Sequence, residues 1–559
     1  MSELMYKCFV DETFRADGTI DRLTVNVPDN FNFSYDVIDV LAKERPDKRA
    51  IQWVNDEGAE KCITFKDLSD NSKRAAAYLA SLGIGKGDAV LLILKRHYQF
   101  WYVILALHRL GAVGVPATNQ LMKKDIVYRI EKAHIKAVVC TAEGDIAQAV
   151  DDAAQECGGV DVKLIVNGDR DGWRSFDREY ETYPAEFARP TGALANTKDD
   201  IMLMYFTSGT SGYPKVCMMA YSYPLGHIVT ARYWHNVNTT DAGLHLTLAE
   251  TGWAKSIWGK LYGQFLCESA VFVYDFNRFH PTDVLHMIEK YRITTLCAPP
   301  TIFRFLIQED LSQYDFSSLE YVTTAGEAIN PEVFNKFLDA TGLKLMEAYG
   351  QTETTLTVGN FVGTVPREGS MGKPSPQYDV DIVDDAGNSV APGVTGEIVI
   401  RTDKIKPVGL FAGYFEDAEK TRAVYSDNVY HTNDLAWRDE DGYYYYVSRK
   451  DDVIKSSGYR IGPFEIESVL MEHPAVLECA VTGVPDPVRG QVVKATIVLS
   501  EAYRGREAAA LKKEIQEFVK HTTAPYKYPR VVDFVTELPK TISGKIKRNT
   551  IRGEQDGMN

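Results

Sequence analysis

The sequence predicts an α/β protein: a large N-terminal domain of mostly parallel sheets covered by helices, followed by a small α+β C-terminal domain. Three observations predict it. The chain has 559 residues, more than one hydrophobic core organises, so at least two domains are expected. Strand-like and helix-like segments alternate along most of its length, which is the pattern of a parallel sheet with helices on its faces. Between residues 448 and 467 the texture changes to "SRKDDVIKSSGYRIGPFEIE", charged and glycine-punctuated, and the boundary is placed at Asp451, giving domains 1–450 and 451–559.

The elements follow in order. "DAVLLIL" (88–94) is a buried strand, and "YQFWYVILALHRLG" (98–111) is the next helix, ended by Gly111. "AVGVPA" (112–117) and "KAVVCTA" (136–142) are strands, with the helix "DIVYRIEKA" (125–133) between them. The same pattern is expected to resume at "KLIVNG" (163–168), "VDIV" (380–383) and "GEIVI" (396–400). "YYYY" at 443–446 fits a strand. In the small domain, "EIESVLMEHP" (465–474) and "AAALKKEIQEFVKHT" (508–522) are helices, while "VLECAVTGV" (476–484) and "QVVKATIVLS" (491–500) are strands.

Composition narrows the function. A net charge of −15 makes a poor generic binder of nucleic acid or of an anionic membrane. An anionic ligand then needs a locally basic site, and residues 501–552 supply one: twelve Lys and Arg against six Asp and Glu, a net +6. The eight cysteines have no CxxC pairing or zinc spacing, so neither a disulfide scaffold nor a structural metal is expected. The first residues lack a basic segment followed by an apolar run, and the apolar stretch 101–116 is broken by His108 and Arg109. A soluble cytoplasmic protein without stable membrane insertion is the expectation.

"IMLMYFTSGTSGYPK" (201–215) is the strongest local signal. An apolar strand runs into Thr207, Ser208, Gly209, Thr210, Ser211 and Gly212, and Lys215 follows. Glycines allow backbone N–H groups to turn toward an anion, hydroxyls donate to phosphate oxygens, and the lysine adds charge. The GxxxxGK[ST] spacing of a Walker loop is absent.

At these residues the chain resembles the adenylate-forming superfamily of acyl-CoA synthetases, luciferases and peptide-synthetase adenylation domains. Further motifs match in the family's order. "TAGEAI" (324–329) resembles the segment along the adenine, implicating Gly326, Glu327 and Ala328. "EAYGQTET" (347–354) resembles the central motif, with Glu347, Ala348, Tyr349, Gly350 and Gln351 beside the nucleotide. The resemblance implies Thr352 on the α-phosphate and Glu353 on the Mg²⁺ that neutralises ATP. "HTNDLAW" places Asp434 on the ribose hydroxyls, with Asn433 where the family has glycine, and Arg449 is a second ribose contact. Asp451 matches the family's hinge, which implies that the C-terminal domain is mobile. Ser457, Gly458 and Tyr459 are implied CoA contacts, with Arg460 on the nucleotide side; Gln120, Arg489 and Lys520 are further CoA positions.

"TISGKIKRNT" (541–550) resembles the final motif, whose lysine is here Lys545. A carboxylate attacking an anionic phosphate gathers negative charge, which a pre-placed ammonium offsets. "APYKYPR", "DPVRG", "MEHPAV" and "ETGWAKSIWG" look closest to medium-chain acyl-CoA synthetases. The reading is therefore an AMP-forming acid–thiol ligase using a small carboxylic acid, ATP and CoA. Gly350 stands where acetyl-specific relatives carry Trp, and the resemblance implies open volume there for a medium-chain, branched or aromatic acid. Trp253 and the segment 323–326 are the other expected pocket walls. Two rivals stand beside this reading: another adenylating enzyme, amino-acid-activating or luciferase-like, and a non-catalytic nucleotide-binding protein. Retention of Lys215, Glu353, Asp434 and Lys545 together argues against the second.

Overall fold

The computed structural model describes residues 3–207, 214–237, 243–327, 329, 331–403, 407–457, 459–541 and 545–553. Two large mixed sheets organise the N-terminal part. The eight-stranded sheet has a parallel centre formed by Ala89–Ile93, Val113–Pro116, Ile135–Thr141, Val162–Val166 and Ile201–Thr207. One edge turns antiparallel, through Lys215–Ala220 and then Gly413–Tyr414. The nine-stranded sheet runs parallel through Leu345–Gly350, Tyr321–Ala325, Thr295–Ala298, Leu244–Thr247, Ala270–Asp275 and Arg49–Asn55, with antiparallel strands at both ends.

The helix Gln99–Leu110 is buried along its whole length. Its apolar residues belong to the largest hydrophobic cluster, which also takes in strands of both sheets. Gly111 ends it in the left-handed region at φ +74°, where glycine carries no Cβ penalty. The two polar residues that interrupt its apolar sequence are buried, and both make side-chain hydrogen bonds. Arg109 donates to both carboxylate oxygens of Asp39 at 2.9 and 2.7 Å and to Ser72 Oγ at 3.0 Å. His108 Nε2 lies 2.8 Å from the Tyr262 hydroxyl. Among the described residues, no helix is long and apolar enough to cross a membrane.

Two segments depart from the expected pattern. Asp379–Val383 and Gly396–Arg401 form an antiparallel pair within a five-stranded antiparallel sheet, completed by Val429–Arg438, Tyr425–Ser426 and Tyr444–Arg449. The connection between them, residues 384–395, folds into a tight turn at Asp384–Asn388 and carries no helix, so it makes no crossover of the kind a parallel pair needs. Beyond Arg449 the chain enters a separate sheet of Ile454–Ser456, Tyr459–Ile461, Val476–Asp486, Gly490–Leu499 and Val531–Val535. The helices Pro463–Met471 and Ala508–Thr522 pack on it around Ile466, Leu470, Leu511, Ile515 and Val519.

Candidate active site

Strand ends and turns of the N-terminal sheets gather several of the expected site residues, and the charge of Lys545 on the C-terminal domain reaches Asp434 among them. Thr207 closes the strand Ile201–Thr207 and pairs in register with Lys215. Ser208, Gly209, Thr210, Ser211 and Gly212 lie outside the described residues, as do Ala328 and Gly458. Lys215 Nζ sits 4.9 Å from the centre of the Tyr414 ring. The Tyr414 hydroxyl donates to Glu353 Oε1 at 2.9 Å, and the Phe411 N–H donates to the Glu353 carbonyl at 2.8 Å. Three distant segments thus place the lysine, the acid and their aromatic spacer together.

Residues 351–354 form a tight turn closed by Thr354, whose Oγ1 accepts the Gln351 N–H at 3.0 Å. Thr352 and Glu353 occupy the middle of that turn, half-buried. Asp434 lies across from it, with only 5% of its surface exposed. Its Oδ2 accepts from the Tyr349 hydroxyl and from Gln351 Nε2, both at 2.6 Å, and its Oδ1 accepts from the Tyr446 hydroxyl at 3.3 Å. Burial pushes the Asp434 carboxyl above its ordinary range, while Arg449, these donors and the Lys545 ammonium pull it back. Asn433 adopts φ +58°, so the position that resembles a family glycine keeps the glycine conformation in a residue that tolerates it.

Arg449 pairs in register with Asp434 across the antiparallel strands. Burial works against its charge, but the Asp434 and Asp451 carboxylates outweigh that and hold the guanidinium firmly protonated. Its Nε is 3.1 Å from Asp451 Oδ1. Lys545 is exposed on its hairpin, yet its charge is felt both at Asp434 and at buried Lys255. Residues from the two ends of the sequence therefore share one electrostatic site.

Glu347 and Glu327 are placed differently from each other. The Glu347 carboxyl is buried, accepts from the Ile329 N–H, and is pushed up to about 8 by desolvation. It ties the segment 324–329 to the strand Leu345–Gly350 and turns away from solvent. Glu327 is exposed and bonds Thr301 and Arg304. Gly326 has φ +105°, with open space where a Cβ would stand. Ala348 is buried in the same strand as Glu347.

The acyl side holds a correction. A Cβ on Gly350 would stand 2.4 Å from Trp258 Cη2 and 2.7 Å from the Thr355 carbonyl. The absent side chain therefore makes room for the indole of Trp258, which is 5% exposed, and does not leave an open volume. Trp253, the expected wall, is half-buried and caps the N-terminus of the helix Ala254–Lys260. That helix carries the residues the sequence reading missed. Lys255 and Trp258 stand at i and i+3, on one face. Among the described residues Lys255 Nζ is buried with no hydrogen-bond partner, 5.4 Å from the Trp234 ring and 5.8 Å from the Trp258 ring. Burial lowers its pKa, and nearby Lys545 adds to the shift. The spacing in "WAKSIW" was a usable signal, but a lysine is so seldom buried that it reads as a surface residue.

The positions proposed for CoA are only partly gathered. Ser457, at φ +50°, donates its N–H to the Arg489 carbonyl at 2.9 Å, and Arg489 Nη1 donates to Ser457 Oγ at 3.2 Å. Tyr459 is 50% exposed and stacks on Tyr526, with ring centres 4.1 Å apart. The backbone of Arg460 pairs with Lys455, and its side chain lies outside the described residues. Lys520 is paired with Glu517 at 3.2 Å. Gln120 belongs to the N-terminal part, on an exposed loop where its N–H donates to Thr118 Oγ1 at 3.3 Å. Thr118 is itself held by buried Glu250 at 2.9 Å, which links that loop to the segment leading to Trp253.

Among the described residues no three His, Cys, Asp or Glu side chains form a metal-holding group. The single carboxylate of Glu353 suits a Mg²⁺ that arrives on a nucleotide better than a resident protein cage.

Comparison with known proteins agrees with this geometry. Residues 38–415 match the model of the AMP-binding enzyme family, and residues 465–545 match that of the AMP-binding enzyme C-terminal domain. Acyl-coenzyme A synthetase ACSM3, mitochondrial, of Pongo abelii is 43% identical over 540 residues, spanning 95% of this chain and 91% of the relative. The crystal structure of the anthranilate CoA ligase AuaEII in complex with anthranoyl-AMP superimposes with a TM-score of 0.84 at 26% identity, covering 94% of this chain and 98% of that one. A Brucella canis acyl-CoA synthetase superimposes with a TM-score of 0.71 at 31% identity, covering 95% of each chain.

Proposed function

The chain belongs to the AMP-binding enzyme family, and from that premise we propose that it is an ATP-dependent acyl-CoA synthetase for a medium-chain, branched or aromatic carboxylic acid. In the first half-reaction an acid oxygen bonds the α-phosphorus of ATP, the α–β phosphoanhydride bond breaks, and pyrophosphate leaves. In the second, the CoA sulfur bonds the acyl carbon, the acyl–oxygen bond to phosphate breaks, AMP leaves, and the thiol proton is released.

The observation that carries this reading is the meeting of Lys215, Glu353, Asp434, Arg449 and Lys545 at one crevice. Asp434 is suited to grip the ribose, because its Oδ1 has only one long hydrogen bond and keeps accepting capacity. Lys215 and Lys545 supply ammonium groups where charge accumulates during attack on phosphorus. Glu353 would help hold a Mg²⁺ that arrives with ATP, which would supply charge neutralisation at the phosphates. Trp258 and Trp234 provide flat apolar walls for the acyl end, with Lys255 between them. Ser457 and Arg489 are held together on the C-terminal domain as a polar pair for CoA.

The test is a panel of butyrate, hexanoate, octanoate, decanoate, 2-methylbutyrate and benzoate, scored by pyrophosphate release with CoA present. At least one acid is expected to turn over. Silence across the panel refutes the reading and leaves the non-catalytic nucleotide binder. Lys545→Ala is expected to abolish acyl-adenylate formation while sparing the reaction of CoA with pre-made acyl-adenylate.

A further inference from the structure

Lys545 stands on a hairpin at the surface, where an unsupported lysine would sample many positions. Its backbone is closely held. The Thr541 N–H donates to the Lys545 carbonyl at 2.7 Å, the Lys545 N–H donates to Thr541 Oγ1 at 3.1 Å, and the Lys547 N–H donates to the Pro539 carbonyl at 2.8 Å. Ile546 and Ile551 pack against Ala480, Val498 and Leu538. These contacts shape the hairpin and seat it on the strand Val476–Asp486, but none of them ties it to the segment next to Asp451.

An ionic cluster does. Arg548 Nη2 donates to both carboxylate oxygens of Glu467, at 2.8 and 2.9 Å. Its Nη1 is 3.7 Å from Asp452 Oδ2, and Arg552 Nη1 donates to Asp452 Oδ1 at 2.9 Å. Glu467 also accepts the Val481 N–H at 2.8 Å, so it is itself fixed to the sheet. The side chains of Asp452 and Glu467 are only 9% and 12% exposed, so both carboxylates depend on their guanidinium partners. One side chain, three residues after Lys545, therefore locks together the segment beside Asp451, the helix Pro463–Met471 and the lysine-bearing hairpin.

We propose that Arg548 is a positioning residue for adenylation: through Glu467 and Asp452 it fixes where Lys545 stands relative to the nucleotide site. Lysine cannot substitute fully, because Nη2 of the guanidinium serves Glu467 while its Nη1 faces Asp452, and an ammonium has no second nitrogen. The proposal rests on the reading that Lys545 serves the first half-reaction and not the second. It goes beyond that reading by assigning the placement of the lysine to a residue that touches no substrate. Misplacement by about 1 Å costs on the order of a hundredfold in rate.

The test uses the full chain with butyrate, 2-methylbutyrate and benzoate as probe acids, measuring acyl-adenylate formation and, separately, CoA reaction with the pre-made adenylate. Arg548→Gln is expected to slow the first roughly a hundredfold, with the second changed by less than about threefold and the KM for ATP little altered. Arg548→Lys is expected to recover part of the loss. Equal losses in both half-reactions, or no loss in the first, overturn the proposal. If Arg548→Gln does not fold, Glu467→Gln weakens the same contact from the other side, leaving Asp452 as the carboxylate that faces the Arg548 guanidinium. It must show the same selective loss, and its absence overturns the proposal. Lys545→Ala run alongside separates the two ideas. If it leaves adenylation intact, the reading of Lys545 fails; if it abolishes adenylation while Arg548 and Glu467 variants do not impair it, only the positioning role fails.

Discussion

At the scale of single residues, Gly350 shows how a correct motif can suggest the wrong physics. Its place in "EAYGQTET" is legible, but what fills the space above it is a tertiary fact. Gly350→Ala brings a Cβ to 2.4 Å from Trp258, closer than carbon atoms pack, and is expected to cost about 1–3 kcal/mol of stability and to alter acid preference. Trp258→Leu in the same chain should return part of that stability. Simple additivity of the two changes in thermal melting would show that the contact does not govern the site. Glu347 makes a second residue-level prediction. Its folded carboxyl titrates near 8 against an ordinary 4.5, so its neutral form is favoured by folding. Its stabilising contribution is complete below pH 4.5 and is lost as pH rises through about 8. Glu347→Gln should therefore gain on the parent chain by a few kcal/mol, on the order expected for such a shift, as pH rises from 5 to 8.5. Parallel stability curves for the two chains would refute this. The carboxyl's burial was not legible, because a glutamate in a polar motif reads as a ligand until its surroundings are known.

At the scale of elements, strand and helix identity was read well wherever apolar periodicity was strong. The strand Ala89–Ile93, the helix Gln99–Leu110 and the helix Ala508–Thr522 fall where their sequences place them. The pairing sense of Asp379–Val383 and Gly396–Arg401 was not readable from two short apolar runs, since it depends on whether the twelve residues between them form a turn or a crossover helix. Polar residues within an apolar helix were equally opaque: Arg109 interrupts the sequence pattern yet joins three helices, Asp39–Glu44, Phe65–Ser81 and Gln99–Leu110, through Asp39 and Ser72. Asp39→Asn should destabilise the chain by about 3–5 kcal/mol in urea titration, because it leaves a buried guanidinium poorly matched. The double variant Asp39→Leu with Arg109→Met should recover most of that loss. A small effect of Asp39→Asn would show that the pair is incidental to the packing of these helices.

At the scale of the whole molecule, the order of motifs was the most informative feature of the sequence. No single motif compelled a function, yet Lys215, "EAYGQTET", "HTNDLAW" and Lys545 are linked in the structure through Tyr414, Glu353 and Asp434. The acyl end was less legible, because Trp234, Lys255 and Trp258, the walls proposed for it, meet only through helix packing. The topology of the nine-stranded sheet has a further consequence, for the birth of the chain. The hairpin of Arg49–Asn55 and Glu60–Thr64 is synthesised early, but the strand it lies beside, Ala270–Asp275, emerges only after roughly two hundred more residues. At about 5–20 residues per second, that partner arrives some 10–40 seconds later. During that interval a strand bearing Ile51, Trp53 and Val54 has an open edge, a template on which another chain can pair until the sheet closes.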